Sequence, residues 1–326
     1  MSRIIFMGTP DFSVPALAAL AARQEFEICL VVTQPDRPKG RGKKLSPSPV
    51  KKKAAQLGLD VYQPEKLNTA QGIDRLCALD PDYFVVVAFG QILSQAILDI
   101  PKVYPINIHA SLLPKYRGAS PIQAAVMNMD KETGVTTMVM ARGMDTGDML
   151  LTSRTPVDPD ETAEDLHDRL SAMGADLIVE TITRINQGNI LPAPQNDACA
   201  TYVPMLKKSD GIIDWNRSPD AVRAHINAMT PWPGAFTELN GNRLKVFKAT
   251  PASYGSSDSS DSDDSDGHQP EPGQILACSR EGIHTAVGGG GSVMITQVMG
   301  TSGKRMTADA FIRGNPIDLP ARFQGP

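Results

Sequence analysis

Apolar and polar positions divide the chain into two differently patterned parts. In the first, Ile4 to Met7 is apolar without a break and ends at Gly8, after which Val14 to Leu20 follows a helical spacing. A glycine between a buried strand and a helix start reads as the opening of a βα unit. Ile28 to Val32 and Tyr83 to Ala88 are further continuous apolar runs, and Ile106 to Ile108 and Val135 to Met140 are shorter strand candidates. Helical patterns lie between them, as at Val50 to Leu57 and Pro121 to Met129. Strands that read as continuous apolar runs are covered on both faces, and their alternation with helices predicts a mostly parallel sheet of the α/β class. A long helix is predicted from about Ala163 to Asn186, with Thr162 as its N-cap and Gly188 as its stop.

After Gly188 the pattern breaks. Pro192, Pro194 and Pro204 among small polar residues suit an extended interdomain linker, placed at 188–206. Beyond it come one helical stretch, Pro219 to Met229, and short apolar runs near Phe236, Leu244 to Phe247, Ile275 to Ala277, Ile283 to Val287 and Val293 to Val298. Short strands with glycine-rich turns predict a small β-barrel. The expected domains are therefore 1–187 and 207–326. The tract at 253–272 is almost free of apolar side chains and is read as a disordered acidic insertion.

With 326 residues, each domain is long enough to bury its own core. No apolar run reaches the roughly 18–20 residues that span a bilayer. The apolar stretch behind Met1-Ser2-Arg3 is too short for a signal-peptide core, so a cytoplasmic protein with no membrane partner is expected. Cys29, Cys77, Cys199 and Cys278 lie far apart, with no metal-ligand spacing. They are read as buried reduced thiols, with no disulfide and no metal site. The net charge of −4 hides a segregation of charge. Six acids and no cation fall between Ser253 and Pro272, whereas eight cations and one acid fall between Asp36 and Lys53. An electrostatic footprint belongs to a patch and not to the whole-chain sum.

Three stretches could carry chemistry. In Asn107-Ile108-His109 the first and third side chains share one face of a strand end, about 6–7 Å apart along the backbone. An amide donor beside an imidazole offers acyl transfer a group to stabilise an oxyanion and a proton shuttle. Asn and His are also common at strand ends, so this pair alone does not decide the chemistry. Gly143-Met144-Asp145-Thr146-Gly147 sets a carboxylate between glycines after an apolar strand, in a loop expected at the carboxyl edge of the sheet, where open α/β sheets bind ligands. It is no aspartic-protease signature: a second such motif is missing and the surrounding pattern is α/β. The third stretch, Thr33 to Pro49, contains Arg37, Lys39, Arg41, Lys43 and Lys44 and lacks P-loop spacing. It reads as a loop that contacts a phosphate backbone.

Together with this basic loop, Phe6-Met7-Gly8-Thr9-Pro10-Asp11-Phe12, Gly90-Gln91-Ile92-Leu93, the Asn-x-His run continuing to Ser111-Leu112-Leu113-Pro114 and Tyr116-Arg117-Gly118, and Met144-Asp145-Thr146-Gly147 resemble the methionyl-tRNA formyltransferase family. The likeness continues through Ile213-Asp214-Trp215, Pro231-Trp232-Pro233-Gly234 and Gly303-Lys304-Arg305-Met306. The resemblance implies a Rossmann-like formyltransferase domain followed by an OB-like β-barrel domain that binds tRNA. It implies transfer of a formyl group from 10-formyltetrahydrofolate to the α-amine of initiator methionyl-tRNA; a monomer is expected, and the chemistry requires no metal. Asn107, His109 and Asp145 are the implied catalytic set. Folate contacts are assigned to Gly90, Gln91, Ile92, Ser111, Leu112, Leu113, Pro114 and Gly143, and tRNA contacts to Arg37, Lys39, Arg41, Lys43 and Lys44. Ser94, Ala141 and Asn227 depart from the family's usual residues, as does the Ser/Asp insertion. Formyltransferases acting on purine precursors or sugars would share the first-domain chemistry without needing the basic loop.

Overall fold

A computed structural model describes residues 1–39, 44–253 and 270–325. The elements of the first part run β1 (Ser2–Gly8), α1 (Val14–Ala21), β2 (Phe26–Val32), β3 (Arg37–Lys39), β4 (Lys44–Ser46), α2 (Pro49–Gln56), β5 (Val61–Tyr62) and α3 (Ala70–Cys77). They continue as β6 (Tyr83–Val87), α4 (Gln95–Leu98), β7 (Tyr104–His109), β8 (Arg117–Gly118), α5 (Pro121–Met127), β9 (Glu132–Val139), β10 (Met149–Pro156), α6 (Ala163–Asn186) and β11 (Tyr202–Val203). Then follow α7 (Pro219–Met229), β12 (Ala235–Leu239), β13 (Asn242–Ala252), β14 (Gln274–Cys278), β15 (Ile283–Val287), β16 (Gly291–Met299), β17 (Met306–Thr307), α8 (Ala308–Gly314) and β18 (Ala321–Arg322).

Two compact units result, one of Met1–Pro121, Glu132–Thr155 and His167–Pro204, the other of Ile122–Lys131, Pro156–Leu166 and Met205–Pro326. The first unit is Rossmann-like. Its seven-stranded sheet has the order β10-β9-β7-β6-β1-β2-β5. β5, β2, β1, β6 and β7 pair in parallel, and β9 is antiparallel to β7. Burial explains the parallel strands: Ile4 to Met7 and Tyr83 to Val87 are almost wholly shielded. Strands of a parallel sheet covered by helices on both faces have no solvent face on which to alternate. One side of the sheet builds a core from Ile5, Met7, Leu30, Val32, Phe84 and Val86 with Leu67, Leu76 and Leu93. α6 starts at a reciprocal capping box: the Asp165 backbone N–H donates to Thr162 Oγ1 at 3.2 Å, and Thr162 N–H to Asp165 Oδ2 at 3.0 Å.

The chain reverses on either side of β1, whose neighbours are β2 and β6, so a ligand crevice is expected at the carboxyl ends of these strands. Side chains stitch the loops there. Thr9 Oγ1 donates to the Phe89 carbonyl at 2.9 Å, and Gln34 Nε2 donates to the same oxygen at 3.3 Å.

The second unit is OB-like. Antiparallel strands follow the order β12-β13-β16-β15-β14-β18, with β17 on β16. A bridge between Glu238 and Gln324 ties the first strand of this path to the chain just after the last, curling the sheet on itself. Trp215 stacks on Phe323 with ring centroids 5.3 Å apart and donates to Thr237 Oγ1.

Three expectations change. Cys77 and Cys199 are exposed and Cys29 and Cys278 only half-buried, because each lies on an outward helix or strand position or in a turn; all four thiols are free. The basic stretch is not loop throughout: β3 and β4 pair antiparallel, Arg37 opposite Ser46 and Lys39 opposite Lys44. The segment read as a linker is hydrogen-bonded to the first unit over 193–203, for reasons given below. The acidic insertion lies outside the described residues from 254 to 269. Among the described residues no helix is long and apolar enough to cross a membrane.

Candidate active site

β7 ends in Asn107-Ile108-His109. Ile106 and Ile108 point into the core, so the period-two alternation of a strand turns Asn107 and His109 to the opposite face. His109 is buried, and its Nε2 lies 2.9 Å from the Tyr116 carbonyl oxygen. A carbonyl can only accept, so Nε2 carries a hydrogen and the neutral ring has its lone pair on Nδ1. That nitrogen faces Asp145 Oδ2 at 3.6 Å. Asn107 is half-buried, and no described residue hydrogen-bonds its side chain. Its amide is free to donate to a ligand.

Asp145 reaches His109 by an unexpected route. β9 is antiparallel to β7, with His109 opposite Thr136 and Ile106 opposite Val139. The loop after β9 therefore leaves level with the start of β7 and not at the carboxyl edge, and it folds back to bring Asp145 to His109. Sequence pattern alone could not orient β9, since a buried strand looks the same in either direction. Asp145 has a left-handed backbone, φ 51°. Its Oδ2 also accepts the Gly118 N–H at 2.8 Å.

The supporting residues were not legible as such in the sequence. Arg117 is 1 % exposed. Its guanidinium donates to Gln195 Oε1 at 2.8 and 3.0 Å, to Asp197 Oδ1 at 2.7 Å and to Tyr202 Oη at 3.0 Å. Burial works against its charge, but the bonds to Asp197 and Tyr202 outweigh burial and raise its pKa. Gln195 Nε2 donates to the carbonyls of Asp145 at 2.8 Å and Gly147 at 2.7 Å. β11 pairs in parallel with β8, and the Tyr116 N–H donates to Thr201 Oγ1. The proline-rich composition of 188–206 concealed this return. A faint signal was present in Tyr202-Val203, an aromatic and β-branched pair able to add a strand.

The proposed folate residues divide by what their side chains do. Gly90 takes φ 85° after β6, whose parallel register with β7 sets it at the His109 end. Gln91 is spent internally: its Oε1 accepts the Leu67 N–H and its Nε2 donates to the Pro64 carbonyl. This fastening leaves Ile92 85 % exposed. Ser111 is fully buried, its hydroxyl donating to the Lys115 carbonyl. Leu113 is buried, and its N–H donates to Thr136 Oγ1; Leu112 and Pro114 are half-buried. Gly143 is exposed, and a Cβ there would lie 2.3 Å from Thr146 Oγ1. Of the tRNA residues, Arg37 is exposed, while Lys39 and Lys44 pair through their backbones. Arg41 and Lys43 lie outside the described residues. Asp36 is held below the usual carboxylate range by Gln63 and Lys51, so Lys51 is already paired within the basic stretch. Among the described residues no His, Cys, Asp and Glu group could hold a metal ion.

A Rossmann-like unit followed by an OB-like unit is the architecture in which His109, half-buried Asp145 and the unbonded Asn107 amide are set. Residues 2–182 match the family described as formyl transferase, and residues 205–316 match the formyl transferase C-terminal domain. A methionyl-tRNA formyltransferase of Citrifermentans bemidjiense is 48 % identical over 312 residues, 96 % of this chain and 93 % of that protein. Another, from Geobacter sulfurreducens, is 48 % identical over 98 % of this chain and 96 % of its own length. The chain belongs to the methionyl-tRNA formyltransferase family. The fold is shared with an N-formyltransferase from Helicobacter canadensis, solved with folinic acid and dTDP-3-aminofucose, at a TM-score of 0.63 and 19 % identity over 90 % of this chain and 99 % of that one.

Proposed function

We propose that this chain transfers the formyl group of 10-formyltetrahydrofolate to the α-amine of initiator methionyl-tRNA, supplying formylmethionyl-tRNA for translation initiation in the cytoplasm. The observation that carries this reading is the His109–Asp145 pair beside Asn107 in a chain related almost end to end to proteins named methionyl-tRNA formyltransferase. One chain holds the whole set, so a monomer suffices.

The residues present fit a folate. Ile92 offers an exposed apolar side chain on a loop fixed by Gln91 and Asn68, suited to one face of a pteridine ring. Gly90, Leu112 to Pro114 and Gly143 contribute backbone and apolar surface, whereas Ser111 and Gln91 shape their loops from within. When bound, the folate supplies an activated formyl carbon. Asn107 donates from its amide to the formyl oxygen as negative charge builds there. His109 Nδ1 takes a proton from the attacking amine, because Nε2 is committed to Tyr116. Asp145 offsets the charge of the imidazolium so formed, and His109 then passes the proton to the departing nitrogen.

Arg37, Lys39, Arg41, Lys43 and Lys44 are assigned to the tRNA acceptor end. Lysines suit backbone phosphates, and Arg41 offers a planar fork that lysine does not mimic. Timed transfer from 10-formyltetrahydrofolate to charged initiator tRNA, elongator tRNA and a nucleotide-linked amino sugar tests the reading. Initiator methionyl-tRNA should be formylated fastest and the sugar not at all. Arg41→Leu should lower kcat/KM for the tRNA while leaving slow hydrolysis of the donor intact. Preference for the amino sugar would overturn the assignment.

A further inference from the structure

Tyr116, Arg117 and Gly118 are consecutive, and they hold both partners of the catalytic pair. The Tyr116 carbonyl accepts from His109, and the Gly118 N–H donates to Asp145 Oδ2. Arg117, between them, grips Gln195, which holds the Asp145 backbone. The hydrogen-bond inventory fixes which way the Gln195 amide points. Arg117 has only donors, so it must meet Oε1. The amide NH2 is thereby turned to the carbonyls of Asp145 and Gly147, which accept its two hydrogens. All the polar capacity of this half-buried side chain is used, at distances of 2.7 to 3.0 Å. A non-glycine residue persists in the left-handed region only where its surroundings over-determine it. At Asp145, φ 51°, the two carbonyl bonds and the carboxylate bond supply that determination.

We propose that Gln195 is a positioning residue for Asp145, oriented by Arg117, and that the return segment 193–203 sets the aspartate against His109. This rests on Asp145 acting in catalysis as proposed above. The segment then works as a brace of the active site and not as a spacer. Its residues are distant from Asp145 in sequence but bonded to the same turn.

The variant that isolates this role is Gln195→Glu. A carboxylate still accepts from Arg117, preserving the buried contact, but it has no hydrogens for the two carbonyls. In the full-length protein kcat for initiator methionyl-tRNA should fall about 10- to 100-fold, the scale of a small misplacement in an active site. KM for the tRNA should stay within about threefold while the pH–rate profile shifts, since the defect lies at the proton-transfer pair. A merely structural role would lower the melting midpoint without moving that profile. Adding Gln195→Glu to Asp145→Asn should cost no further activity, because residues acting as one unit are not additive. Unchanged kcat and pH profile in Gln195→Glu, or a fully additive loss in the double variant, would overturn the proposal. Wild-type kcat in Asp145→Asn alone would instead remove the catalytic reading beneath it. Should Gln195→Glu fail to fold, Gln195→Met is read the same way, and a folded Gln195→Met with wild-type kcat would equally overturn the inference.

Discussion

At His109 a single backbone oxygen fixes the tautomer. The Tyr116 carbonyl holds the hydrogen on Nε2 and leaves Nδ1 facing Asp145, the nitrogen that takes the proton in the reaction proposed above. Gly118 supports the same arrangement at close quarters. Its φ of 114° lies where side chains are disfavoured, and a Cβ would lie 2.3 Å from the Val203 carbonyl oxygen. Strain of about 1–3 kcal/mol and overpacking of similar size lead us to expect Gly118→Ala to destabilise the protein by roughly 2–6 kcal/mol. The measurement is urea unfolding of the two proteins; a midpoint equal to the parent's would show that β8 and β11 can separate freely. Asn107 and His109 could be read from the sequence as side chains on one face of a strand end and Asp145 as a carboxylate between glycines, but only the family resemblance joined the three into one proposed set. Arg117 and Gln195 were not legible, because an arginine after a turn and a glutamine among prolines look solvated until the bonds between them, 78 residues apart, are seen.

Among the elements, the parallel strands β1, β2, β6 and β7 were legible as apolar runs, the two-residue β5 was not, and α7 emerged with the bounds its spacing predicted. The direction of β9 and the β3–β4 pairing were not, since the first is set by tertiary register and the second has no apolar alternation. α7 carries an unusual load of polar side chains on a buried helix. Arg223 and Asn227 are buried, and Arg223 Nε, His225 Nε2 and both Asn227 amide atoms lack a hydrogen-bond partner among the described residues. Burial, helped by Arg217, lowers the His225 pKa below its ordinary 6.5, and burial also lowers that of His284 on β15. A histidine whose folded pKa is depressed binds its proton more readily when unfolded. Stability therefore falls as pH drops through about 6.5 toward the folded value, and it is fully present only above that window. Asp165, whose pKa is lowered by hydrogen bonds from Thr162 despite burial, costs stability only in more acid solution, below its ordinary 3.8. The melting midpoint should thus decline between pH 7 and 5, and His225→Gln should flatten that decline. An equally steep decline in the variant would place the titrating group elsewhere.

For the molecule as a whole, two folded units and one segregated charge pattern account for the sequence. The acidic tract that makes the net charge −4 lies apart in sequence from the basic stretch assigned to tRNA, so whole-chain charge misdescribes the surface that a polyanion would meet. The family match across both units supports reading them as parts of one enzyme. In that enzyme, as proposed above, Asn107, His109 and Asp145 carry out the transfer. The direct measurement is single-turnover formylation of initiator methionyl-tRNA from 10-formyltetrahydrofolate by the parent and by Asn107→Ala, His109→Ala and Asp145→Ala, with folate affinity measured in parallel. Each variant should bind folate as the parent does and transfer roughly 10²- to 10³-fold more slowly, the usual loss for a group that acts on the developing charge. Transfer at the parent's rate by any one of the three would contradict the role given to that residue.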